Sequence, residues 1–377
     1  MQNNEFIGNV VGDKYRIVKK ITTGGMNSTI YEGEAIENNT NNYFNRKTRK
    51  AAIKIIKKDA DMTDDVWQRI NDEVFTLSRM STKRNVIKFY DSIVDIDQII
   101  IIMEYVDGSS LDNKINEYGH FSLEEGLYLF KEILFGVSQL HNNSLEIIHR
   151  DLKPSNILLL KNQTEIRIID FGISSVFDKT ITKDAPQVVT NEESFYGTMA
   201  YVAPDIIGIK KYNINELYKR VTRQFDFHSL GVIFHEMMTG EKPLYYENEE
   251  DSICLTYYHD YDIRPMKDLI PNMPNEIENI IFRLTATKPN HIKYRYKSIE
   301  EIINDIQNYE KRISSNSLES SLLNPINERV FQESPFFNLK IENSKIVSKK
   351  WMLATSVPFF IFTIIIFCLV IIWSIIF

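Results

Sequence analysis

The sequence predicts an α+β fold in which a strand-rich part precedes a helical part, followed by one C-terminal transmembrane helix. The run Ile99–Met103 is apolar without interruption, as in a strand that is covered on both faces. A helix is predicted over residues 123–142, where apolar side chains recur every three or four positions. Residues 351–377 carry no charged side chain. With 377 residues, the chain is long enough for one two-lobed domain and an appendage.

The remaining predicted elements follow the same order along the chain. Two strands joined by a turn are predicted over residues 11–36, and a short apolar strand is predicted over 51–56. A helix over 66–80 precedes two further strands, at 85–91 and 98–103. In the second half, the central helix is predicted to start at Asp226, and the last helix of the domain is predicted over 299–309.

The composition indicates a largely globular protein. The net charge of −7 gives no electrostatic reason to bind nucleic acid. The two cysteines, Cys254 and Cys368, are far apart and imply neither a disulfide framework nor a cysteine-rich zinc site, which fits a reducing cytosol. The first ten residues lack the basic patch and apolar core of a signal peptide.

The uncharged stretch 351–377 is predicted to cross a membrane once. As a helix, it would extend about 40 Å and could span a hydrocarbon core of about 30 Å. Lys345, Lys349 and Lys350 lie just before it, so the positive-inside rule places residues 1–350 in the cytoplasm and the C-terminus outside. The alternative is a buried hairpin of a soluble domain, but uncharged runs of this length rarely form one.

Residues 312–350 are rich in serine and asparagine and show no clear period. We interpret them as a flexible juxtamembrane linker. Ser314, Ser315 and Ser317 are candidate autophosphorylation sites in it. Because nothing follows the predicted span, we expect no extracellular sensor domain in this chain.

The chemistry-bearing residues lie in the run His-Arg-Asp-Leu-Lys-Pro-Ser-Asn at 149–156 and in Asp-Phe-Gly at 170–172. Asp151 is a carboxylate able to take a proton from a hydroxyl, and Lys153 is a cation two residues later. Asn156 and Asp170 supply an amide and a second carboxylate, and oxygen ligands of this kind hold Mg²⁺ in phosphate sites. The pattern therefore indicates phosphoryl chemistry.

These two motifs resemble the catalytic and metal-binding loops of the bacterial Hanks-type serine/threonine protein kinases. The resemblance covers about residues 11–311 and implies a bilobal protein-kinase fold, with an N-lobe at about 11–103, a hinge at 104–108 and a C-lobe at 109–311. It also implies ATP and Mg²⁺ (or Mn²⁺) as cofactors. Eight consecutive matching positions and a second motif downstream disfavour the alternative, a polar loop after a helix.

The resemblance assigns roles to the residues of these motifs. Asp151 would orient the substrate hydroxyl and accept its proton, while Lys153 would neutralise charge on the γ-phosphate. Asn156 and Asp170 would hold Mg²⁺. Leu158 would pack under the adenine. A lysine two residues after the aspartate is typical of the serine/threonine kinases within the family.

A hairpin near the N-terminus resembles the glycine-rich loop of these kinases. Thr22 stands where the family has its first glycine, and the loop is one residue longer than usual. The alternative is an ordinary hairpin, since two glycines in a turn are a weak signal. The ATP-binding residues implied for this hairpin are Ile21, Thr22, Thr23, Gly24, Gly25, Met26, Asn27, Ser28, Thr29 and Ile30.

The rest of the nucleotide pocket is implied by the strands that follow. Lys54 would hold the α- and β-phosphates and be positioned by Glu73 on the predicted helix, because an unpaired buried cation is costly. The alternative for Lys54 is a surface position on an edge strand. Ala52 would face the adenine, and the main chain of Glu104 and Val106 would hydrogen-bond it.

Arg150, next to Asp151, requires an anion, and a phosphorylated loop can supply one. By comparison with similar bacterial kinases, Thr190 is predicted to be the main autophosphorylation site and Ser194 the second. Thr198 belongs to a segment that resembles the family's substrate-docking segment, and it would hydrogen-bond Asp151 and Lys153.

Three further residues are given structural roles. Asp205 stands where the family has a glutamate, and Arg295 is its implied partner. Asp226 would anchor the backbone of the catalytic loop, although simple N-capping of the helix that it starts is the alternative.

The sequence therefore supports an active, membrane-anchored serine/threonine protein kinase that acts on protein substrates, with homodimerisation for trans-autophosphorylation as a further hypothesis. A non-catalytic kinase-fold scaffold is the alternative, but it predicts losses at Lys54, Asp151 or Asp170, and all three are present. A small-molecule kinase of the same fold would usually lack the docking segment.

Overall fold

The fold is described from a computed structural model of the chain. The residues that it describes are 5–23, 28–36, 50–58, 67–68, 70–71, 74, 83–142, 147–162, 164–170, 200–201, 223–243, 263–286 and 291–315. The activation-loop residues and the predicted linker beyond residue 315 lie outside these ranges, as does the predicted membrane span. Among the helices of the described residues, none has the length and apolar character needed to cross a membrane.

A six-stranded antiparallel sheet forms the N-terminal part, with the order β1-β2-β3-β4-β6-β5. The strands are β1 (Val10–Val11), β2 (Tyr15–Thr23), β3 (Ser28–Ala35), β4 (Lys50–Lys57), β5 (Phe89–Val94) and β6 (Gln98–Glu104). The strand expected at 85–91 starts later and continues further than predicted. Asn85 has a φ of 64°, in the left-handed region, so the chain cannot continue there as a strand.

The two faces of the sheet pack against different partners. Ile100 and Ile102 of β6 face one cluster, which also contains Tyr15, Ile17 and Ile53. On the other face, Ile99 and Ile101 pack against a helical segment, at the buried side chains Trp67, Ile70 and Val74. The uninterrupted apolar run at 99–103 is explained by this arrangement, because both faces of β6 are covered.

The helical part is built around two long helices, α2 (Leu123–His141) and α3 (Gln224–Thr239). A shorter helix, α1 (Leu111–Tyr118), precedes α2 and is capped by Ser110. The Ser122 hydroxyl accepts a hydrogen bond from the Glu125 amide, and the Glu125 carboxylate binds the Ser122 amide in return, so a capping box starts α2. The predicted apolar stripe of α2 is buried, and it comprises Leu127, Phe130, Leu134, Val137 and Leu140.

Two more helices close the helical part, α4 (Asn275–Thr285) and α5 (Ile299–Ser314). Helix α3 is buried nearly throughout and contacts both α2 and α4. Its Phe234 ring stacks on Phe130 of α2 with 4.2 Å between the ring centroids. Helix α5 continues past the predicted end at Tyr309 and past the predicted domain boundary at residue 311. An ion pair of 2.5 Å between Arg312 and Glu276 of α4 stabilises this extra turn.

A small second sheet, in the order β7-β8-β9, positions the catalytic segment. Its strands are β7 (Gly108–Ser110), β8 (Ile157–Leu160) and β9 (Ile166–Ile168). Ile157, Ile166 and Ile168 are fully buried in the core of the helical part. Residues 149–156 enter this sheet and Asp170 leaves it, so both chemical motifs are anchored to one buried element.

Candidate active site

Asp226 holds the backbone of the segment that contains Asp151. Its carboxylate is fully buried and accepts hydrogen bonds from the His149 amide at 2.8 Å and the Arg150 amide at 2.9 Å. The ring of His141, at the end of α2, lies 2.7 Å from the same carboxylate. Asp226 lies inside the first turn of α3 and not at its N-cap, which is Arg223. The geometry therefore favours the anchoring role over simple capping.

Burial would raise the pKa of Asp226, but hydrogen bonds from His141 and from the loop backbone outweigh burial and lower the pKa below its ordinary value. Asp226 is thus a carboxylate ion, and both of its oxygens accept hydrogen bonds. Arg150, which it holds, has a φ of 67°. A non-glycine residue in this region is strained, and such strain persists only where the surroundings enforce it.

Asp151, Lys153 and Asn156 form one hydrogen-bonded group. The Lys153 ammonium lies 2.9 Å from one carboxylate oxygen of Asp151 and 3.1 Å from the other. The Asn156 amide nitrogen donates to the same carboxylate at 3.0 Å and to the Asp151 carbonyl at 2.8 Å. Residues 154–156 form a 3₁₀ turn, which folds Asn156 back onto Asp151. The spacing in sequence is therefore converted into contact by one short turn.

Asp170 lies next to a cation from the other lobe. Its carboxylate is 2.6 Å from the Lys54 ammonium, which reaches it from β4. Burial would raise the pKa of Asp170, but the charge and hydrogen bond of Lys54 lower it below the ordinary value. The predicted partner of Lys54, Glu73, lies outside the described residues. The sequence did not predict the pair between Lys54 and Asp170.

Neighbouring groups keep Asp170 in place. Its φ is 57°, so the chain turns sharply as it leaves β9. The buried His149 ring lies 3.0 Å from the Ile169 carbonyl, and burial lowers the pKa of this imidazole. A depressed pKa favours a neutral ring, which donates to that carbonyl from one nitrogen. The histidine of the first motif is thereby linked to the residue just before the second.

The residues expected around the adenine lie along β4, β6 and β8. Ala52 on β4 is paired with Met103 on β6, directly before the predicted hinge. The Glu104 side chain accepts from the Arg167 guanidinium at 3.0 Å. Val106 is half-buried, and Leu158 is half-buried on β8 opposite Ser110 of β7. These positions are compatible with a flat ligand between the two sheets.

For the glycine-rich hairpin, the structure describes the two strands that flank the tip. Thr22 pairs with Ile30, and Thr23 pairs with Thr29. The side chains of Ile21, Thr22 and Thr23 are exposed. The tip residues Gly24, Gly25, Met26 and Asn27 lie outside the described residues.

Several other predicted site residues also fall outside the described residues. They are Thr190, Ser194, Thr198 and Asp205. Arg295, the predicted partner of Asp205, is described: it is buried, and its Nε donates to the Ala286 carbonyl at 2.6 Å.

A second buried carboxylate contact was not predicted from the sequence. The Tyr201 hydroxyl donates to Glu236 of α3 at 2.5 Å, and both side chains are buried. Tyr201 belongs to the predicted docking segment, and this bond fixes Tyr201 to the central helix. The available signal was an acidic residue, Glu236, within a run of mostly apolar residues at 230–238.

The fold and these motifs define a phosphotransferase of the protein-kinase class, and comparison with known proteins agrees. The protein kinase domain model matches residues 36–317, so the chain belongs to the protein kinase family. A candidate serine/threonine-protein kinase of Mycoplasma genitalium is 32% identical over 348 residues, which cover 86% of each chain. A similar candidate of Mycoplasma pneumoniae is 31% identical, over 88% of this chain and 87% of its own.

The serine/threonine-protein kinase PrkC of Bacillus subtilis is 28% identical over 302 residues, which are 80% of this chain and 41% of that protein. The chain is therefore a bacterial Hanks-type kinase, an enzyme that phosphorylates serine and threonine on proteins. The family uses ATP and a divalent metal ion, generally Mg²⁺.

Proposed function

We propose that this kinase works at the cytoplasmic face of a membrane and activates itself by phosphorylating Thr190, with Ser194 as the second site. The observation that carries the catalytic part is the group of Asp151, Lys153 and Asn156, in which the Lys153 Nζ and the Asn156 Nδ2 lie within 3.1 Å of Asp151 oxygens. Positioning and charge neutralisation are the main demands of phosphoryl transfer.

In the proposed reaction, the substrate hydroxyl binds to Asp151 and loses its proton to that carboxylate. The hydroxyl oxygen forms a bond to the γ-phosphorus of ATP while the bond from the γ-phosphorus to the bridging oxygen breaks, and ADP leaves with the electron pair. The Lys153 ammonium, held 2.9 Å from Asp151, offsets negative charge on the transferred group. Lys54 would contact the α- and β-phosphates.

Asn156 and Asp170 fit a magnesium ion chemically. The Asn156 amide nitrogen makes both hydrogen bonds to Asp151, so these bonds leave its oxygen available as a ligand. The lowered pKa of Asp170 keeps that carboxylate ionised. Oxygen ligands and one or two carboxylates are what Mg²⁺ takes in nucleotide sites, where it offsets phosphate charge. These two residues would hold the ion.

Arg150 supports the self-activation part of the proposal. Its Nε is buried and has no hydrogen-bond partner among the described residues. Its backbone is held at a φ of 67° by Asp226. A buried guanidinium donor without an acceptor is costly, and a phosphate offers several acceptor oxygens and about two negative charges. Phosphothreonine 190 would supply them, and Glu192 would add a further negative charge.

The catalytic proposal is tested with radiolabelled ATP, a generic protein substrate and the full chain. Asp151→Asn is expected to lower incorporation by about 10²- to 10⁴-fold, the usual size of a general-base contribution. Asp97→Asn, an exposed aspartate in the turn between β5 and β6, is the matched control and is expected to keep wild-type activity. Equal incorporation by wild type and Asp151→Asn would contradict the role of Asp151.

The self-activation proposal is tested by mass-spectrometric mapping of the active chain and by a double-mutant cycle. Thr190→Ala and Arg150→Ala are each expected to lower kcat/KM by at least about tenfold. If the phosphate acts through Arg150, the double variant is no worse than either single variant. An unmodified loop in active enzyme, or fully additive losses, would rule out this switch.

The membrane location is tested on intact and shortened chains. The full chain is expected to sediment with membranes and to resist extraction at alkaline pH, whereas a chain ending at residue 350 is expected in the soluble fraction with its kinase activity retained. Release of the full chain by alkaline extraction would contradict an integral span over 351–377.

A further inference from the structure

Glu32, Lys50 and Tyr105 form a cluster of side chains at one end of β4, which we call the hinge cluster. The Lys50 ammonium lies 2.5 Å from a carboxylate oxygen of Glu32 and 5.3 Å from the centroid of the Tyr105 ring. Glu32 belongs to β3, Lys50 begins β4, and Tyr105 directly follows β6. The cluster therefore joins two strands of the sheet to the predicted hinge at 104–108.

The hinge cluster lies on the same face of the sheet as the residues expected around the nucleotide. Glu32 pairs with Ala52 across β3 and β4, and alternate residues of a strand point to the same face. Lys50, Ala52 and Lys54 therefore share one face, and Lys54 reaches Asp170 from it. At about 3.3 Å per residue, Lys50 lies about 13 Å along the strand from Lys54, with Ala52 between them. The cluster is thus at the adenine end of the expected pocket, away from the phosphates.

The Glu32 carboxylate is the fixed member of the hinge cluster. Glu32 is 8% exposed, whereas the side chain of Lys50 is 49% exposed. A buried carboxylate needs a paired cation, because an unpaired buried charge is costly. Glu32 therefore holds the Lys50 ammonium over the Tyr105 ring, although holding a long side chain in one geometry costs entropy.

Tyr105 is a half-buried aromatic side chain, and its hydroxyl remains neutral. Burial first, and then the negative charge of Glu32, raise the pKa of this hydroxyl above its ordinary value. The face of an aromatic ring attracts a cation that lies within about 6 Å of the ring centroid. The contact between Lys50 and Tyr105 is therefore attractive.

The main chain on either side of this tyrosine is anchored elsewhere in the protein. The Glu104 amide donates to the carbonyl directly before β5 at 2.8 Å, and the Asp107 carbonyl accepts from the amide directly after β8 at 3.1 Å. In the described part of the chain, no main-chain hydrogen bond of this kind involves Tyr105 or Val106. The contact of the Tyr105 ring with Lys50 is therefore placed to fix the peptide units between these two anchors.

We propose that Glu32 and Lys50 are positioning residues for the adenine base, because they hold the Tyr105 ring and so orient the peptide units from Glu104 to Val106. The inference rests on the proposed nucleotide pocket and goes further, since it assigns the base selectivity of that pocket to these two side chains. They act through the hinge and not on the phosphoryl group, so their effect is on nucleotide binding and not on the transfer step.

The selectivity follows from the hydrogen-bonding edges of the two purine bases. Adenine presents an amino donor at position 6 and an acceptor at N1, whereas guanine presents an acceptor at O6 and a donor at N1. A Glu104 carbonyl and a Val106 amide held side by side complement adenine, and they oppose like groups of guanine. A site of fixed polar groups rejects such a mismatch, since those groups would be buried without partners. Releasing the hinge therefore weakens the match to adenine more than the already poor match to guanine.

The test measures binding of Mg-ATP and Mg-GTP by isothermal titration calorimetry to the full chain carrying Asp151→Asn, which prevents turnover. Lys50→Met keeps the apolar stem without the cation, and Glu32→Gln keeps the shape without the charge. Each is expected to raise the Kd for ATP about three- to tenfold and to change the Kd for GTP by less than about twofold. Because both changes act on one contact, the double variant should bind ATP no more weakly than the weaker single variant.

Lys57→Met is the matched control, because Lys57 has neighbours of the same kinds on the opposite face of β4. Its ammonium lies 2.7 Å from Glu5 and 4.9 Å from the centroid of the Phe6 ring. This variant also loses an ion pair and a cation–π contact, but it is expected to bind both nucleotides as the parent chain does. Lys50→Arg, which keeps the charge, and Tyr105→Phe, which keeps the ring, are expected to retain the parent affinity for ATP.

Equal ATP affinity in Lys50→Met and Lys57→Met would overturn the inference, and so would equal losses of ATP and GTP affinity in Lys50→Met. If Lys50→Met does not fold, Tyr105→Ala removes the same contact and is expected to show the same selective loss. In the active chain, Lys50→Met should raise the KM for ATP with kcat unchanged, as when binding common to the ground and transition states is lost. A lowered kcat with unchanged KM would also overturn the inference.

The parent chain separates this inference from the proposed pocket. Failure of the Asp151→Asn chain itself to bind Mg-ATP would contradict the nucleotide pocket on which the inference rests. Normal Mg-ATP binding by that chain and by every variant of the hinge cluster would overturn the inference alone.

Discussion

Asp226 and Arg150 are joined by a hydrogen bond of 2.9 Å from the Arg150 amide to the buried carboxylate, and this bond lies at the base of the catalytic segment. The other oxygen of Asp226 accepts from the His149 amide, so two consecutive backbone amides are fixed by one side chain from α3. Because Arg150 is strained and Asp151 follows it directly, the position of the Asp151 carboxylate depends on this anchor.

Replacing this anchor is expected to affect both stability and turnover. Asp226→Asn places an amide nitrogen opposite at least one backbone N–H, and that N–H loses its acceptor. The loss costs about 1–3 kcal/mol, or more because the acceptor was charged. We expect the free energy of unfolding to fall by about 3 kcal/mol and kcat to fall by at least about tenfold. Denaturant titration and steady-state kinetics on the folded variant measure the two effects.

Asp305→Asn separates positioning from general weakening. Asp305 also accepts two hydrogen bonds, from Arg283 at 2.6 Å and from Tyr296 at 2.7 Å, but it lies on α5 away from the catalytic segment. This variant is expected to lose stability while its folded fraction keeps wild-type kcat. If Asp226→Asn also kept kcat, the anchor would be structural only.

The pair between Lys54 and Asp170 leads to a second prediction. Lys54→Met keeps the length and apolar stem of the side chain but removes the cation 2.6 Å from Asp170. We expect kcat/KM for ATP to fall by about 10²- to 10³-fold, as when one electrostatic contact to a reacting group is lost. Lys57→Met on the same strand is the matched control, since Lys57 pairs with the exposed Glu5. Equal losses in both variants would contradict a specific role for Lys54.

The same pair predicts a pH effect on stability. Lys54 lowers the pKa of Asp170, so the pair stabilises the folded state above the unfolded pKa of about 4, and this stabilisation is lost as the pH falls through the lower folded value. In Lys54→Met, the charge and the hydrogen bond of Lys54 are lost, so the pKa of Asp170 is higher than in the wild type. The decline in stability below about pH 4 should therefore be shallower in the variant than in the wild type. Parallel pH profiles of urea unfolding would refute this linkage.

Glu278 on α4 gives a third prediction, in the opposite direction. Burial raises its pKa to about 7, and its Oε2 has no hydrogen-bond partner among the described residues. The protonated form is therefore favoured by folding, and stability is lost as the pH rises from about 4.5 to about 7. At 1.36 kcal/mol per pKa unit, the loss is at most about 3 kcal/mol.

Glu278→Gln removes the titration while keeping the acceptor for the Met266 amide, which lies 3.0 Å from the glutamate oxygen. Between pH 5 and pH 8, the free energy of unfolding of the wild type is expected to fall. This fall should exceed that of the variant by up to about 3 kcal/mol. Glu124 is an exposed glutamate in the first turn of α2, and Glu124→Gln should leave the pH dependence of the free energy of unfolding unchanged. The assignment to Glu278 fails if the free energy of unfolding depends on pH equally in Glu278→Gln and in the wild type.

The sequence predicts best where a pattern is local. The apolar stripe of α2 and the double-faced strand β6 depend on spacings of a few residues, and both are present. Likewise, Asp151, Lys153 and Asn156 are brought together by a single 3₁₀ turn. The resemblance of the motif assigns these three residues to one site, and the turn that joins them was not predicted.

What the sequence did not predict depends on distant contacts. Asn85 leaves the strand region because its side chain donates to the Glu132 carbonyl at 2.9 Å and to the Glu132 carboxylate at 2.7 Å, 47 residues away. The pair of Lys54 and Asp170 joins residues 116 apart. Helix α5 extends because its last turns contact α2 and α4 through Glu310 and Arg312. The periodicity of apolar residues within one segment does not predict contacts with residues far away in the sequence.

The contact between α3 and α4 gives the last prediction. A Cβ added at Gly231 would lie 2.8 Å from the Leu284 Cβ and 2.4 Å from the Thr285 Cγ2, close to the α4 backbone. The Leu284 Cβ cannot move unless the helix moves, so Gly231→Ala should separate α3 from α4. Overpacking of this kind costs about 1–3 kcal/mol, more than the gain of up to about 1 kcal/mol from helix propensity. We expect a lower melting temperature by several degrees.

Gly126→Ala on α2 is the matched control, because its Cβ would meet the Met238 Sδ at 2.4 Å. A methionine thioether is the adaptable end of a flexible side chain and can move aside. This variant should therefore melt within a degree or two of the wild type, since the propensity gain offsets the repacking. Differential scanning fluorimetry compares the two variants. If Gly231→Ala melts no lower than Gly126→Ala, the close approach of α3 to α4 does not depend on glycine.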